Sequence, residues 1–212
     1  MTRRSLVGPA AVLASLAGVV MGLSLAFMSP EVAADRWSYP QTPTHFTWMQ
    51  IGFVIQHIPC ILALAVARVA VGRSSTGRIG WYVGIAGMAL LTINEGLAIT
   101  ARDQASDSPL ASIIGSLYGV GTLMIAIGLM VGGVAAIRAR IWSKAEGCLM
   151  FALGAWLLVP TLPVLIIWPN EPSRIVLSLW VMGFGALGIV ITRRATSASW
   201  RRGHDDGTVR SA

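Results

Sequence analysis

Charge is scarce in this chain. Only 12% of its 212 residues are Asp, Glu, Lys or Arg, where a soluble domain carries about 25%. So little charge leaves too little polar surface to cover a water-soluble globule, which excludes a soluble enzyme. Lysine is almost missing: Lys144 stands alone among 16 basic residues. Arginine in place of lysine suggests GC-rich codon use and a high-GC bacterial source. Cysteine is limited to Cys60 and Cys148, with no CxxC or CxxCH, so a disulfide scaffold and a metal site are not expected. There is no HExxH, P-loop or serine-nucleophile motif, and the glycine-rich runs follow no strand, so they are not dinucleotide loops.

What the chain has in excess is apolar. Hydrophobic residues make up 55% of it, and mean hydropathy is +0.70. That excludes intrinsic disorder. Residues 5–30, 37–67, 108–137, 147–170 and 175–192 contain no charged side chain, and 79–101 contains only Glu95. Spanning the ~30 Å core of a bilayer takes roughly 20 apolar residues in a helix. Six such helices are expected, at about 6–28, 46–71, 79–101, 110–137, 147–167 and 174–192. They must be helical, because lipid offers no partner to free backbone groups. The expected fold is therefore an all-α membrane protein, a six-transmembrane-helix bundle over 1–194, followed by a flexible basic cytoplasmic tail over 195–212. Arg3-Arg4 and Val32-Ala33-Ala34 also fit a cleaved signal peptide, which would leave five helices. The apolar stretch from Leu6 to Met28 is longer than the ~7–15 residues of a signal core, so retention is expected.

Charge sets the orientation. Twelve basic residues fall in one set of alternate loops: Arg3, Arg4, Arg73, Arg78, Arg138, Arg140, Lys144, Arg193, Arg194, Arg201, Arg202 and Arg210. The other set holds three, Arg36, Arg102 and Arg174. The positive-inside rule places both termini in the cytoplasm of a multi-pass plasma-membrane protein. The net charge of +7 is then orientation and attraction to anionic lipid heads, with no nucleic acid implied. Trp37, Tyr39, Trp48 and Trp168 fall near outer boundaries, and Trp81, Tyr82 and Trp142 near inner ones, as an aromatic belt would.

Polar groups at depth are expensive and point to function. Gln50, His57 and Arg68 fall within about 20° of one another on helix two at 100° per residue, which predicts a stripe facing the interior. Arg68 is a turn from the inner end, so it can also snorkel to the headgroups as an inner-face charge. Glu95 lies roughly 9 Å inside the outer end of helix three. A carboxyl there can donate a hydrogen bond or a proton, or be held structurally by Thr92, Asn94, Gln50 or an outer-loop arginine. The candidate pocket is outward-leaning, between helices two and three, lined by Gln50, His57, Thr92 and Glu95. His45 and His57 are about 18 Å apart on one helix, too far to share a haem iron, so no cofactor is expected. Ser112, Ser116, Tyr118 and Thr122 make helix four mildly polar, but hydroxyls can bond back to helix carbonyls and make no site by themselves.

Small-xxx-small pairs recur at Gly18/Gly22, Gly80/Gly84, Gly115/Gly119 and Gly128/Gly132. They predict close helix contacts within the chain, with a homo-oligomer or complex as the alternative. A shift of 101 residues overlays Ser15-Leu16-x-Gly18-Val19 on Ser116-Leu117-x-Gly119-Val120. It also overlays Pro59 on Pro160, Gly84 on Gly185 and Gly87 on Gly188. This is a weak signal for a 3+3 inverted repeat, with prolines interrupting helix two and helix five at matching places.

The run Ser116-Leu117-Tyr118-Gly119-Val120, then Arg138-Ala139, Trp142 and Val159-Pro160-Thr161-x-Pro163, resembles uncharacterised six-helix integral membrane proteins of actinobacteria. Trp37-x-Tyr39-Pro40 with Phe46 and Gln50 is similar too. The resemblance implies topology and source, and adds no chemistry. The expected function is binding or transport of a small or lipid-like solute, or an accessory role in the membrane. The alternative is a membrane-embedded enzyme acting on an isoprenoid or other lipid, with Glu95 as its acid.

Overall fold

The structure, a computed structural model, describes residues 4–168 and 171–209, with side chains from 6–168 and 172–197. Seven α-helices carry it: α1 (Arg4–Ala26), α2 (Pro43–Ala67), α3 (Ser75–Ala98), α4 (Pro109–Ala139), α5 (Lys144–Trp156), α6 (Leu162–Ile167) and α7 (Glu171–Val209). Tight turns at Arg68–Val71 and Ile99–Ala101 extend α2 and α3. A wider π turn, Leu157–Thr161, joins α5 to α6, so these two form one rod, Lys144–Ile167. Six rods are therefore long and apolar enough to cross a membrane. No strand occurs among the described residues; Arg36 and Ala105 make one antiparallel bridge between loops.

Four helices begin earlier than hydropathy predicts, because polar caps start them. The side chains of Thr42, Ser74, Ser108 and Ser143 accept from the backbone N–H groups of His45, Gly77, Ala111 and Glu146. Each satisfies a donor that the first turn would otherwise leave open. Pro43 and Pro109 follow two of these caps, where a missing N–H costs nothing. Glu146 completes a capping box by accepting from Ser143 N at 2.7 Å.

The prolines do not act alike. Pro160 falls in the π turn, and Thr161 Oγ1 donates to Trp156 O at 3.0 Å, occupying a carbonyl of the widened turn. Pro59 lies inside an unbroken α2. The expected break in helix two is thus absent; one lost hydrogen bond leaves a long apolar helix intact. The backbone of α7 likewise continues past 194, through the segment read as a tail, to Val209. No proline follows Pro172, and the first glycine beyond Gly188 is Gly203, so nothing local stops the helix at the last apolar residue. Arg3, Arg4, Trp200, Arg201, Arg202 and Arg210 lie outside the residues whose side chains are described.

Glycine sets the packing. A Cβ on Gly87 would stand 2.8 Å from Gly121 O and Ile125 N, so α3 and α4 touch backbone to backbone. Gly80, Gly84, Gly128 and Gly132 belong to the same seam. Gly18 and Gly22 face Val181 and Ser178 of α7, where Ser15 Oγ donates to Val181 O at 2.6 Å. Three of the four glycine pairs therefore serve contacts within the chain. Gly115 and Gly119 meet nothing within 4 Å. The 101-residue shift would carry Gly121, the partner of Gly87, onto Val20; Gly188 instead approaches Gly8 O and Val12 N.

Large apolar side chains such as Leu13, Val159 and Ile166 point outward and are 68–79% exposed. In water such a surface would be a liability, and in lipid it is the solvated face. Two residues of the expected aromatic belt are instead buried. Trp81 is 0% exposed and donates to Leu64 O at 2.7 Å. Trp142 lies beneath Arg194, whose guanidinium carbon is 5.1 Å from its ring centroid. Trp48, Tyr82 and Trp168 stay exposed. Arg194, at the end of the apolar part of α7, also pairs with Glu146 at the start of α5.

Candidate functional site

Alternation of the rods places two connections, 27–42 and 102–108, and the start of α7 at one end of the bundle. Contacts there are direct. Trp37 N donates to Gln104 O at 3.0 Å, Arg102 Nη1 to Thr47 Oγ1 at 3.3 Å, and Arg174 Nη2 to Tyr39 O at 3.3 Å. The 27–42 connection folds back on itself through Glu31 N to Pro40 O, 2.7 Å, and Gln41 N to Ser38 O, 2.9 Å. It includes a cis Tyr39–Pro40 peptide.

Beneath this end lies a cavity of about 390 Å³. On α2 it is lined by Phe46, Met49, Gln50, Phe53, Gln56 and His57. Their spacing of three and four residues is one helical face. The other walls come from Gly18 and Gly22 on α1, Glu95 on α3, Tyr118 and Thr122 on α4, and Arg174 to Val181 on α7. Gly18 and Gly22 pack α1 tightly on α7, and the lining from α1, α4 and α7 makes the cavity wider than the two-helix pocket predicted from depth alone.

Three of the four predicted site residues meet here: Gln50, His57 and Glu95. Thr92 does not line the cavity. Its hydroxyl donates to Met88 O at 2.7 Å, the usual fate of a threonine inside a helix. Arg68 does not share the inward face with Gln50 and His57. It is exposed, donates to Tyr82 Oη at 2.7 Å, and holds its guanidinium carbon 5.5 Å from that ring centroid. The backbone reaches Arg68 with an ordinary helical bond to Leu64 O, so it is the long side chain that turns away, reaching toward Tyr82 and the end of the bundle.

Tyr118, expected to give helix four only a mild polarity, is instead the partner of Glu95. Its hydroxyl donates to Glu95 Oε2 at 2.6 Å, joining α4 to α3. Tyr118, Thr122 and Ile125 repeat at i, i+4 and i+7 on one face of α4, and that periodicity was the available signal. Asn94, beside Glu95, turns away to donate to Ile114 O at 3.0 Å.

Burial leaves several polar atoms in this site without a protein partner. Gln50 Oε1, Gln56 Oε1, His57 Nδ1, Trp37 Nε1 and Gln41 Nε2 are buried with no hydrogen bond among the described residues. All five residues line the same cavity. Buried polar groups in folded proteins are paired nearly without exception, with protein or with ordered water, so five at one place mark a patch open to a polar partner. Among the described residues no three metal-ligating side chains cluster. Cys60 and Cys148 are free thiols, and Gln56 Nε2 donates to Cys60 Sγ at 3.4 Å.

An unpartnered buried amide oxygen costs stability, which gives a test. Gln56→Leu should stabilise the detergent-solubilised protein by about 1 kcal/mol, a rise of roughly 2–4 °C in melting temperature for a chain of this size. Thermal unfolding followed by tryptophan fluorescence measures it. A clear loss of stability would mean that Gln56 is held by contacts within the protein, and that its place is structural.

No family model matches the chain, and neither does any curated protein or solved structure.

Proposed function

We propose that this is a multi-pass plasma-membrane protein that binds a small or lipid-like solute in the cavity beneath its 27–42 end, as a transporter or as the accessory subunit of one. The observation that carries the reading is the convergence of Gln50, Gln56, His57, Trp37 and Gln41 on one space, each with a buried polar atom lacking a protein partner. Depth adds weight, since such groups are costly inside a membrane and are kept for use.

Charge supports an orientation. Arg73, Arg78, Arg138, Arg140, Lys144, Arg193 and Arg194 gather at the opposite end of the bundle from the cavity. By the positive-inside rule that end is cytoplasmic, both termini lie there, and the cavity leans outward. The actinobacterial resemblance of the sequence fits the same topology and source.

The enzyme reading is weaker. Glu95 is the one carboxylate among the described lining residues, and Tyr118 holds it. General acid chemistry on a lipid would call for a second group to take or stabilise the developing charge, and no other acid stands there.

Native mass spectrometry of protein extracted from its own membranes tests the binding reading. The wild-type protein should carry a small-molecule mass that the Gln50→Leu/Gln56→Leu double variant has lost. Identical spectra for the two, with no shared adduct, would overturn it. If the bound solute is moved by proton coupling, Glu95→Gln should lower its flux in proteoliposomes at least tenfold, the scale of one lost charge-assisted contact; unchanged flux removes that acid from transport.

A further inference from the structure

We infer that the cavity takes an organic anion with an apolar body, its acid group held at the 27–42 end by Arg174, Trp37 and Gln41. This rests on the solute-binding reading above and names the chemical class of that solute.

Arg174 lies in the first turn of α7, within the cavity wall. A guanidinium has five N–H donors and no acceptor. One of them reaches Tyr39 O at 3.3 Å, and no ion pair to Arg174 is found among the described residues. Two described acids at this end of the bundle have other partners. Glu31 accepts from Thr42 N at 3.2 Å and stands 3.5 Å from His45 Nδ1, and Asp103 takes Arg102 Nε at 3.2 Å. A half-buried cation without a counter-charge is expensive in hydrocarbon, and an anionic ligand would supply that charge.

The loop adds donors. Tyr39, which anchors Arg174, stands between Trp37 and Gln41 in sequence. Trp37 Nε1 and Gln41 Nε2 are buried N–H groups without partners among the described residues, and Gln41 is only 2% exposed. An indole N–H can only donate. Three donor groups on one loop and its anchor suit the several lone pairs of a carboxylate or phosphate. Below, Phe46, Phe53, Leu177, Val181 and Trp180 give the walls much apolar surface, in which the polar groups of Gln50, Gln56 and His57 are set. The cavity's own carboxylate does not oppose this. Glu95 lies about two turns down α3 from that end, and its Oε2 already receives Tyr118 Oη at 2.6 Å.

The same acid group could belong to a free organic acid or to an anionic lipid. The test uses wild-type protein in phosphatidylcholine nanodiscs and three soluble probes of matched shape: 3-phenylpropanoate, 3-phenylpropanamide and 3-phenylpropylammonium. Calorimetry should show the acid binding at least about tenfold more tightly than the amide, the worth of one charge-assisted hydrogen bond. Arg174→Gln should remove that preference and leave amide affinity within about twofold. If that variant does not fold, Gln41→Leu, which keeps the guanidinium, should still weaken the acid roughly three- to tenfold. Adding phosphatidylglycerol to the discs assigns the source: competition with the probe means a lipid headgroup, and no competition means a free acid. Equal binding of acid and amide, or tightest binding of the ammonium, overturns the assignment of class. So does binding of none of the three. In each case a copurified mass lost with Gln50 and Gln56 would leave the solute-binding reading standing.

Discussion

Gly128→Val is expected to prevent the bundle from assembling. A Cβ at Gly128 would stand 2.6 Å from Gly80 O and 2.7 Å from Gly84 Cα. Both obstacles are backbone, so no side chain can swing aside, and α3 must move away from α4 along the seam. Overpacking of a tight contact costs about 3 kcal/mol, a large share of the ~5–15 kcal/mol that a folded protein of this kind holds. Helix association in lipid depends on such close approach, since apolar burial gives it no driving force. The expected result is loss of the monodisperse peak on size exclusion in mild detergent. Gly115→Val is the control: nothing lies within 4 Å of Gly115, so stability should stay within about 0.5 kcal/mol. If both variants behave alike, the packing described for α3 and α4 is wrong.

Trp81→Ala should be comparably severe. Trp81 is the largest fully buried side chain among the described residues and belongs to the main core cluster. Its ring reaches Gly132 of α4, and its N–H reaches Leu64 O of α2, so one side chain ties three helices together. Truncation to alanine in a core costs about 3–5 kcal/mol. Trp81→Phe separates the two contributions. Leu64 O also accepts from Arg68 N, so it would not be orphaned, and losing the indole N–H should cost only about 1 kcal/mol. Denaturation by SDS titration, read by circular dichroism, measures both. An alanine variant as stable as wild type would place Trp81 at the bundle surface, where the aromatic-belt rule had put it.

That rule shows where sequence reasoning stops. The six spans were legible because charge is absent from them and each is long enough to cross a bilayer. Their starts were legible in principle too: Thr42-Pro43, Ser108-Pro109 and Ser143-x-x-Glu146 are helix-start signals that hydropathy ignores. A tryptophan near a span boundary, in contrast, can serve the interface or the core. Trp48 does the first and Trp81 the second, and only the neighbouring helices decide.

The site was half legible for the same reason. Glu95, His57 and Gln50 stand out because each is polar in an apolar run. Gln56 and Tyr118 stand out less, and their place depends on which face α2 and α4 turn to each other. The loop residues Trp37 and Gln41 could not be assigned from spacing, since they reach the cavity only through the fold of 27–42. Arg68 went the other way. A projection of Cα positions put it inside, and a side chain long enough to reach Tyr82 put its guanidinium out.

The claim most open to test is that water reaches the cavity while the outer surface of the bundle faces lipid. Phe53 lines the cavity, and Ile55, two residues along the same helix at nearly the same depth, is 62% exposed on the outer surface. In a Cys60→Ala/Cys148→Ser background, Phe53→Cys and Ile55→Cys can be treated with a charged, water-borne thiol reagent in intact cells. The account predicts that the cysteine at 53 reacts and that the one at 55 stays unmodified. Reaction at 55 with none at 53 would contradict it.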